Sequence, residues 1–361
     1  MASEISPKAE ISPKAKIGDN CKIFPFVYIE DDVEIGDNCI IMPFVSILDG
    51  ARIGNNNKIH QGAVIAALPQ DFNYRGEKSY VKIGNNNVIR ENVVINRGTY
   101  RDGATVIGNH NYLLEGTHIS HDTVVGTNCV FGNGVEIAGD CIIMSFASIL
   151  DGARIGNNNK IHQGAVIAAL PQDFNYRGEK SYVKIGDNNV IRENVVINRG
   201  TYRDGSTTIG NHNFLLEGTH ISHDTVVGNN CVFGNGVEIA GDCIIGNGVI
   251  FSTGAIQNAN TRAGDLSLIQ AGCAFSHDVP PYVIAGGTPM EYGGVNTKIL
   301  EIAGIDKKVQ KHIANAYRLL FHGKTSVFDV INQIKAQVPD GTEIQNIITF
   351  LEHSKRGIMC K

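Results

Sequence analysis

The sequence predicts an all-β solenoid that is followed by a small C-terminal α-helical domain. Aliphatic residues recur every six positions from Ile17 to about Phe275, and neither an α-helix nor an ordinary strand has that period. The chain of 361 residues contains 41 glycines, no tryptophan and only 7% aromatic residues. This composition suits a tightly turned backbone of small aliphatic residues, so it favours a repeating β architecture over a helical globule.

Each hexad has a recurring order of residue types. When the aliphatic residue is counted as position one, glycine is frequent at position two, and position five holds a small residue or asparagine, as at Val33 and Asn57. The pattern predicts one short strand and a turn per hexad, with three hexads in each coil of a triangular prism. Position one fills the interior and position five lies at a corner. We interpret Cys21 and Cys39, which are one coil apart, as stacked corner residues.

Polar, turn-rich segments at residues 69–80 and 100–105 interrupt the period, and we interpret them as loops that leave the prism. After residue 285 the pattern changes, and helical spacing begins near Thr297. A helix is predicted from a cap at Asp306 to Gly323, and shorter helices are predicted near residues 326–336 and 342–353. The predicted domains are therefore a β-helix over residues 1–285 and a helical domain over residues 286–361.

A long segment of the chain occurs twice. Residues 46–140 align without a gap on residues 148–242 at an offset of 102, and only five of these 95 positions differ. We interpret this as a recent duplication or a deliberate insertion, in which a block of about 46–143 is repeated as 148–245. The prism faces stay in register only if the block adds whole coils, so we expect about five of them. We also expect the prism to run without a break from Ile143 to Ile155.

The charge and the segment pattern exclude several classes of protein. The net charge of −5 gives no general attraction to nucleic acid or to anionic membranes. No segment resembles a signal peptide or a membrane span, so we expect a cytoplasmic protein without membrane insertion. The eight cysteines include no Cys-x-x-Cys pair, which makes a zinc or disulfide framework improbable.

The stretch GTHISHDTVVG begins at Gly116 and again at Gly218. By itself, a His-x-x-His-Asp cluster fits a polar outward-facing turn, a metal site or a catalytic site. No third ligand recurs at a coil-related position, which disfavours a metal. A neutral histidine is a natural general base at pH 7, and an adjacent carboxylate can fix its tautomer and stabilise the imidazolium.

Several motifs carry a resemblance to a known family: the hexads, IHQGAVIAALPQD, IRENVVINRGT, GTHISHDTVVG, DVPPYVIAGG, GVN and NAYRLLFHGKT. Together they resemble the UDP-N-acetylglucosamine O-acyltransferases that open lipid A synthesis. The resemblance implies a left-handed parallel β-helix, a C-terminal helical domain and a homotrimer with its sites in the grooves between subunits. It also implies the transfer of a 3-hydroxyacyl chain from acyl carrier protein to the sugar 3-hydroxyl, without a cofactor.

The resemblance implies roles for equivalent residues in both copies. The catalytic pair and the glycine whose backbone N–H supports the oxyanion match His121, Asp122 and Gly139 in the first copy and His223, Asp224 and Gly241 in the second. The substrate-binding residues match Gln70, Asp71 and His118 in the first copy and Gln172, Asp173 and His220 in the second, together with Asn296. The second copy keeps the family's spacing to the downstream coils, so we favour Asp173, His220, His223 and Asp224 as the working site.

The chain departs from the family pattern at several of the positions that bind the substrates. The departures are Asp140 and Asp242 after the two glycines, Asn258-Ala259 near the acyl donor, and Lys298, Ile302 and Ala303 after the GVN motif. The loss of two guanidiniums predicts weaker binding of the nucleotide phosphates.

Two alternatives to this activity stay open at the level of sequence. One is a hexapeptide acyltransferase that acts on another nucleotide sugar or uses acetyl-CoA. The other is a non-catalytic scaffold, a β-helix that has been lengthened by design.

Overall fold

The computed structural model describes residues 2–322 and 326–359. The fold is a left-handed parallel β-helix with a small C-terminal α-helical part, as the sequence predicts. The contacts divide it into two compact units. Unit 1 comprises the described residues up to Leu170 together with Lys180–Arg199, and unit 2 comprises Pro171–Glu179 and the described residues from Gly200 onward.

Unit 1 contains three parallel sheets that the chain visits in turn. Sheet 1 contains β1 (Glu4–Ile5), β4 (Lys22–Ile23), β7 (Ile40–Ile41), β10 (Lys58–Ile59), β13 (Val88–Ile89), β16 (Tyr112–Leu113), β19 (Val130–Phe131), β22 (Ser148–Ile149), β25 (Val166–Ala169) and β28 (Val196–Asn198). Sheet 2 contains β2 (Glu10–Ile11), β5 (Tyr28–Ile29), β8 (Ser46–Ile47), β11 (Val64–Ala67), β14 (Val94–Asn96), β17 (His118–Ile119), β20 (Glu136–Ile137), β23 (Ala153–Ile155) and β26 (Tyr182–Ile185). Sheet 3 contains β3 (Lys16–Ile17), β6 (Glu34–Ile35), β9 (Ala51–Ile53), β12 (Tyr80–Ile83), β15 (Ala104–Ile107), β18 (Val124–Val125), β21 (Ile142–Ile143), β24 (Lys160–Ile161) and β27 (Val190–Ile191).

Unit 2 also contains three sheets, followed by helices. One sheet contains β31 (His220–Ile221), β34 (Glu238–Ile239), β37 (Ile256–Gln257) and β40 (Ala274–Phe275), and a second contains β29 (Ser206–Ile209), β32 (Val226–Val227), β35 (Ile244–Ile245) and β38 (Arg262–Ala263). The third contains β30 (Phe214–Leu215), β33 (Val232–Phe233), β36 (Ile250–Phe251), β39 (Leu268–Ile269), β41 (Val283–Gly286) and β42 (Glu291–Val295), of which β42 pairs antiparallel to β41. The helices are α1 (Thr297–Ile302), α2 (Lys307–His322), α3 (Val327–Gln337) and α4 (Thr342–Glu352).

The hexad explains the local structure of each turn. Each early hexad ends its strand on the position-one aliphatic residue, which is buried from Ile23 onward, and the turn residue at position four adopts a positive φ at Asn20 (57°) and Asn38 (59°). Asparagine and glycine tolerate this left-handed conformation better than other residues do. Position five is buried at the corner, and Cys21 and Cys39 both have 0% exposure there, which confirms their interpretation as packed corner residues.

The sequence placed the loops and helices correctly, with small differences at their ends. Both loops are present, but Tyr80 already begins β12 and Ala104 already begins β15. The predicted end of the longest helix at Gly323 lies outside the described residues. The division between the two domains at residues 285 and 286 stays a prediction.

The junction between the two copies lies inside unit 1 and is continuous. On either side of it β19 pairs with β22, β20 with β23 and β21 with β24, each in parallel register. The prediction of an unbroken prism from Ile143 to Ile155 is therefore confirmed.

The expectation that the duplication adds whole coils is wrong. Strand β8 begins the first copy on sheet 2, whereas its counterpart β22 begins the second copy on sheet 1. From β8 to β22 the chain advances by fourteen strands, which make four coils and two further strands. Stacking requires only that each strand pair with the strand one coil earlier, so the chain can be lengthened by any whole number of hexads. Equivalent strands of the two copies, such as β11 and β25, therefore lie on different faces of unit 1.

The interior is filled by position-one side chains that stack from coil to coil. In the second copy Phe233 is fully buried and stacks on Phe251 of the next coil, with ring centroids 5.2 Å apart. Its counterpart Phe131 is equally buried but meets Ile149 in the next coil. The same residue thus has an aromatic neighbour in one copy and an aliphatic neighbour in the other.

We predict that Phe233→Ala lowers the free energy of unfolding by about 3 to 5 kcal/mol, because it opens a cavity beneath Phe251 that the rigid coils cannot close. Urea unfolding followed by circular dichroism measures the change. Phe174→Ala is the matched control, since Phe174 is 98% exposed and its loss is expected to change stability by no more than about 0.5 kcal/mol. Equal effects of the two substitutions would contradict the packing of Phe233.

Candidate active site

Each copy brings a histidine, two aspartates and a glycine together at one corner of its prism. We define the first-copy site as Asp71, His121, Asp122 and Gly139, all of which lie in unit 1. The second-copy site is Asp173, His223, Asp224 and Gly241, all of which lie in unit 2.

The histidine of each site is held by the carboxylate that follows it. His223 Nδ1 lies 3.1 Å from Asp224 Oδ2, and His121 Nδ1 lies 3.2 Å from Asp122 Oδ2. An ionised carboxylate can only accept, so the Nδ1 nitrogen carries the proton and donates it, and Nε2 keeps its lone pair. The histidine side chains are about one-tenth exposed, at 11% for His121 and 10% for His223. Each site therefore presents one basic nitrogen that solvent barely reaches.

Threonine residues fix the carboxylates in turn. The backbone N–H of Thr99 donates to Asp122 Oδ2 at 2.9 Å, and its hydroxyl donates to the same oxygen at 2.6 Å. In the second copy the Thr201 N–H donates to Asp224 Oδ2 at 2.9 Å, while the Thr201 hydroxyl lies 3.0 Å from His223 Nδ1. These threonines end the IRENVVINRGT motif, but their residue type alone gave no sign that they hold a carboxylate.

The loop aspartate of each copy faces the other side of the histidine. Asp173 Oδ2 lies 3.7 Å from His223 Nε2, and Asp71 Oδ2 lies 3.8 Å from His121 Nε2. These separations exceed a hydrogen bond, so the carboxylate and the basic nitrogen flank a position where a hydroxyl group could lie between them. Gln70 and Gln172, which precede the aspartates, are exposed.

A glycine closes each site because no side chain fits beside the imidazole ring. A Cβ atom on Gly241 would lie 2.4 Å from His223 Cε1, and a Cβ atom on Gly139 would lie 2.4 Å from His121 Cε1. These glycines hold the backbone against the ring, where a backbone N–H can reach a reacting oxygen.

The two sites differ at this backbone N–H. The Gly139 N–H donates to Asn157 Oδ1 at 3.1 Å, so an amide from the next coil already occupies it. Ala259 has the equivalent place one coil after Gly241 and has no acceptor on its side chain. Within the described part of the chain, the Gly241 N–H has no hydrogen-bond acceptor. The sequence showed both residues, but only the stacking of coils shows that Asn157 follows Gly139.

The remaining candidate residues lie near these sites or farther along the chain. His118 Nε2 lies 2.7 Å from Asn96 Oδ1, and the Asn96 amide nitrogen donates to the Leu68 carbonyl, which fixes the orientation of the amide. Burial lowers the pKa of His118 and that of its counterpart His220. Asn296 is buried at the start of α1, where its amide donates to the Leu266 carbonyl at 3.2 Å.

The surroundings of the two sites differ in charge. A cavity of about 410 Å³ beside His121 is lined by Asp71, Asp140 and Asp187. A cavity of about 500 Å³ beyond the second-copy glycine is lined by Asp242, by Arg262 with its partner Asp278, and by the basic residues Lys355 and Arg356. Among residues 2–322 and 326–359, no group of three or more His, Cys, Asp or Glu side chains has a geometry that could hold a metal ion.

Comparison with known proteins relates this chain to the sugar acyltransferases. The family model of the second domain of UDP-N-acetylglucosamine O-acyltransferase matches residues 278–359. The bacterial transferase hexapeptide model matches residues 14–45, 34–67, 104–139, 137–169 and 206–241.

Curated relatives and solved structures agree with the family models. An acyl-(acyl-carrier-protein)–UDP-N-acetylglucosamine O-acyltransferase of Syntrophobacter fumaroxidans is 34% identical over 59% of this chain and 83% of its own length. That of Myxococcus xanthus is 37% identical over 56% of this chain and 80% of its own length. The UDP-N-acetylglucosamine acyltransferase structure of Francisella novicida is 30% identical with a TM-score of 0.68, covering 70% of this chain and 93% of that chain. The Moraxella catarrhalis structure is 33% identical with a TM-score of 0.67, covering 69% and 97%.

We predict that Asp242→Asn raises the melting temperature at pH 7 and that the gain shrinks toward zero as the pH falls to about 4. Burial, followed by the nearby Asp224, raises the pKa of Asp242 above its ordinary value. Ionisation of Asp242 is therefore less favourable in the folded chain than in the unfolded chain. The free energy of unfolding consequently falls as the pH rises from the ordinary pKa of an aspartate to the raised pKa of Asp242. Asparagine does not ionise, and Asn260 adopts the same left-handed backbone one coil later.

Thermal unfolding followed by circular dichroism at both pH values measures this difference. Asp140→Asn is a matched case in the first copy, because burial also raises the pKa of Asp140. A gain that is equal at pH 7 and pH 4 would contradict an ionic cause.

Proposed function

This chain belongs to the UDP-N-acetylglucosamine O-acyltransferase family, and we propose that it transfers a 3-hydroxyacyl chain from acyl carrier protein to the 3-hydroxyl of UDP-N-acetylglucosamine. The transfer is the first step of lipid A biosynthesis, and His223 acts as its general base. The observation that carries the assignment to the second copy is the unoccupied N–H of Gly241 beside the His223–Asp224 pair.

The proton transfers follow from the hydrogen bonds of His223. A sugar hydroxyl is too weakly acidic to attack a thioester unaided, so the lone pair on Nε2 takes its proton as the new carbon–oxygen bond forms. Asp224 accepts the Nδ1 proton and stabilises the imidazolium that results. When the carbon–sulfur bond breaks, the imidazolium returns the proton to the departing thiolate. His223 therefore ends the reaction in its original protonation state, and no further reactant is required.

The oxyanion of the tetrahedral intermediate needs a donor that is already in place. The Gly241 N–H can supply it, and the cost of removing such a donor in other acyl-transfer enzymes is about 10² to 10³ in rate. In the first copy the Asn157 amide already accepts the equivalent bond from Gly139, so the intermediate would have to displace it. This difference supports the second copy as the working site.

The charge around the two sites supports the same choice. Acyl carrier protein is acidic, and an acidic partner is attracted by basic surface and repelled by acidic surface. Lys355 and Arg356 line the cavity beyond Gly241, whereas Asp140 and Asp187 line the cavity beside His121. We therefore infer that the donor approaches the second copy.

The nucleotide sugar would be held by the loop residues Gln172 and Asp173, by His220 and by Asn296. Burial lowers the pKa of His220, so its imidazole is neutral at pH 7 and can form a hydrogen bond with a sugar hydroxyl.

The positions that carry arginines in the family are Ile302, which is 73% exposed, and Ala303, which is also exposed. These side chains offer no charge to phosphates. This observation favours a second candidate, a different nucleotide sugar as acceptor, which a comparison of acceptors in the same assay would reveal.

We infer a homotrimer, with complete sites at only one of the two copies. A closed three-fold assembly packs the same face of each protomer against its neighbour. Within unit 1, equivalent strands of the two copies lie on different sheets, so one three-fold axis cannot pack both copies in the same way.

The proposed compartment is the cytoplasm. Its reducing conditions suit the seven cysteines of the described residues, which are all free thiols. None of the described helices has the length and apolar character required to cross a bilayer.

We predict that His223→Ala lowers turnover by about 10² to 10⁴-fold, because it removes the general base of the working site. His121→Ala is the matched control in the first copy and is expected to leave most turnover intact. The assay follows the formation of acylated UDP-N-acetylglucosamine from the acyl carrier protein thioester, and the melting temperature of each variant separates lost chemistry from lost structure. Absence of turnover in the unmodified chain would support a non-catalytic scaffold instead.

A third variant tests why the first copy is inactive. In the His223→Ala chain, Asn157→Ala frees the Gly139 N–H and is expected to raise the residual turnover by about an order of magnitude. Equal losses from His121→Ala and His223→Ala would contradict a single dominant site.

We predict a particle of three chains in multi-angle light scattering, and one binding event per chain that is lost in Asp173→Ala when UDP-N-acetylglucosamine is titrated by calorimetry. Only one copy can have its neighbour packed in the way that completes the groove. Equal losses of binding in Asp71→Ala and Asp173→Ala would contradict a single complete site per chain, and a monomer at micromolar concentration would overturn the trimer itself.

A further inference from the structure

The junction of the two copies creates a positively charged cavity that neither copy contains by itself. The cavity measures about 360 Å³ and lies on sheet 2 of unit 1, where its lining includes His118, Glu136, Arg154 and Lys184. The first two residues belong to the first copy and the last two to the second. In the second copy, Glu238 is followed along the same face by Ile256, which carries no charge.

The basic residues Arg154, Lys180 and Lys184 have the counterparts Arg52, Lys78 and Lys82 in the first copy, where Arg52 and Lys78 are paired with carboxylates. Tyr80 is surrounded by Arg52, Lys78 and Lys82, whose charged groups lie 4.9 to 5.9 Å from its ring centre. Asp32, one coil earlier, pairs with Arg52 and lies 3.1 Å from Lys78 Nζ.

The Asp32 carboxylate is the group that the second copy loses. Its hydrogen bond to Lys78 raises the pKa of that lysine, as expected for a neutralising partner. Glu34 lies 3.9 Å from Arg52 and supplies a second carboxylate. Two carboxylates therefore face three cations in the first copy.

In the second copy, Arg154 and Lys180 lie 5.4 and 5.9 Å from the centre of the Tyr182 ring, and Lys184 lies beside Arg154 in the register of the next strand, but the coil beneath them is different. Glu136 lies 3.1 Å from Arg154 Nε and takes the place of Glu34. The place of Asp32 is taken by Gly134, whose carbonyl accepts a bond from Arg154 Nη1 at 2.6 Å.

One carboxylate therefore faces three cations in the second copy. Among the described residues, neither Lys180 nor Lys184 has a salt-bridge partner. The missing carboxylate follows directly from the duplication, because the coil that holds Asp32 was not copied.

The geometry around Arg154 is preorganised for an anion. Two carbonyl oxygens, those of Gly134 and Ala153, fix one guanidinium nitrogen, and the guanidinium stacks 5.4 Å from the centre of the Tyr182 ring. A guanidinium that is already held in place loses little entropy when it binds phosphate oxygens. His118 adds an Nδ1 acceptor at the cavity wall, because its Nε2 proton is directed to Asn96.

We propose that this cavity binds a phosphate-bearing small molecule, with Arg154 and Lys184 contacting the phosphate. His118 Nδ1 accepts a bond from a hydroxyl of the same ligand. The site is independent of acyl transfer at the second copy, because none of its residues belongs to the second-copy site.

The test restores the missing carboxylate without removing a cation. In Gly134→Asp a carboxylate returns to the place of Asp32, and the substitution is tolerated because no atom lies within 4 Å of a Cβ at Gly134. Gly134 has φ of 57°, and Asp122 and Asp140 adopt the same conformation at 55° and 59°. Gly236→Asp is the matched control, because Gly236 is the copied glycine and also has open space around its Cβ.

Inorganic pyrophosphate is titrated into the full-length chain by isothermal calorimetry at low salt. We expect a saturable binding event that weakens on the order of tenfold in Gly134→Asp, the change that corresponds to 1.4 kcal/mol, and that is unchanged in Gly236→Asp. Lys184→Gln is expected to weaken the same event. Acyl transfer should be equal in the unmodified chain and in Gly134→Asp, which separates this site from the proposed function.

Three results would overturn the proposal. One is the absence of saturable binding by the unmodified chain. The others are equal affinities in Gly134→Asp and the unmodified chain, and equal losses in Gly134→Asp and Gly236→Asp. The melting temperatures of the variants are measured alongside, so that a folding defect is not taken for lost binding.

Discussion

Parallel pairing between successive coils is the constraint on which the rest of this structure depends. Each strand is two to four residues long in most hexads and is stable only because it bonds to the strands one coil before and one coil after it. That requirement sets the period of the sequence and buries the position-one side chains. It also decides how the chain can be lengthened, since an inserted block must contain whole strands but need not contain whole coils.

The coils therefore still pair after the duplication of fourteen strands, but the copied residues have different neighbours in the next coil. Phe131 meets Ile149 where Phe233 meets Phe251, and the Gly139 N–H meets Asn157 where the Gly241 N–H meets no acceptor within the described residues. Near-identical sequences have different chemical environments because a residue in a solenoid is contacted as much by the next coil as by its own.

Features that lie within one copy are unaffected by this change. The histidine–aspartate–threonine cluster has nearly the same distances in both copies, because the loop, the histidine turn and the preceding threonine were duplicated together. Features that depend on a neighbouring coil differ between the copies: the partner of the glycine N–H, the charge of the neighbouring cavity and the balance of carboxylates around the basic residues. The chain thus contains two similar His-Asp clusters, and we assign only one of them the surroundings that the proposed chemistry needs.

The sequence by itself determined the solenoid, the loops, the helices, the duplication and the residues of both His-Asp clusters. A period of six residues and a His-x-x-His-Asp motif are local signals, and local signals survive in the one-dimensional order of the chain. Only the tertiary structure decided the faces on which the two copies lie, the bond from Gly139 to Asn157 and the loss of the Asp32 carboxylate beneath Arg154. These are contacts between coils, and the residues that make them are separated by eighteen or more positions. Three strands make one coil, so the length of the loops and the number of intervening strands decide which residues are stacked on each other. The sequence shows each residue of such a pair, but the stacking of the coils determines which residues meet.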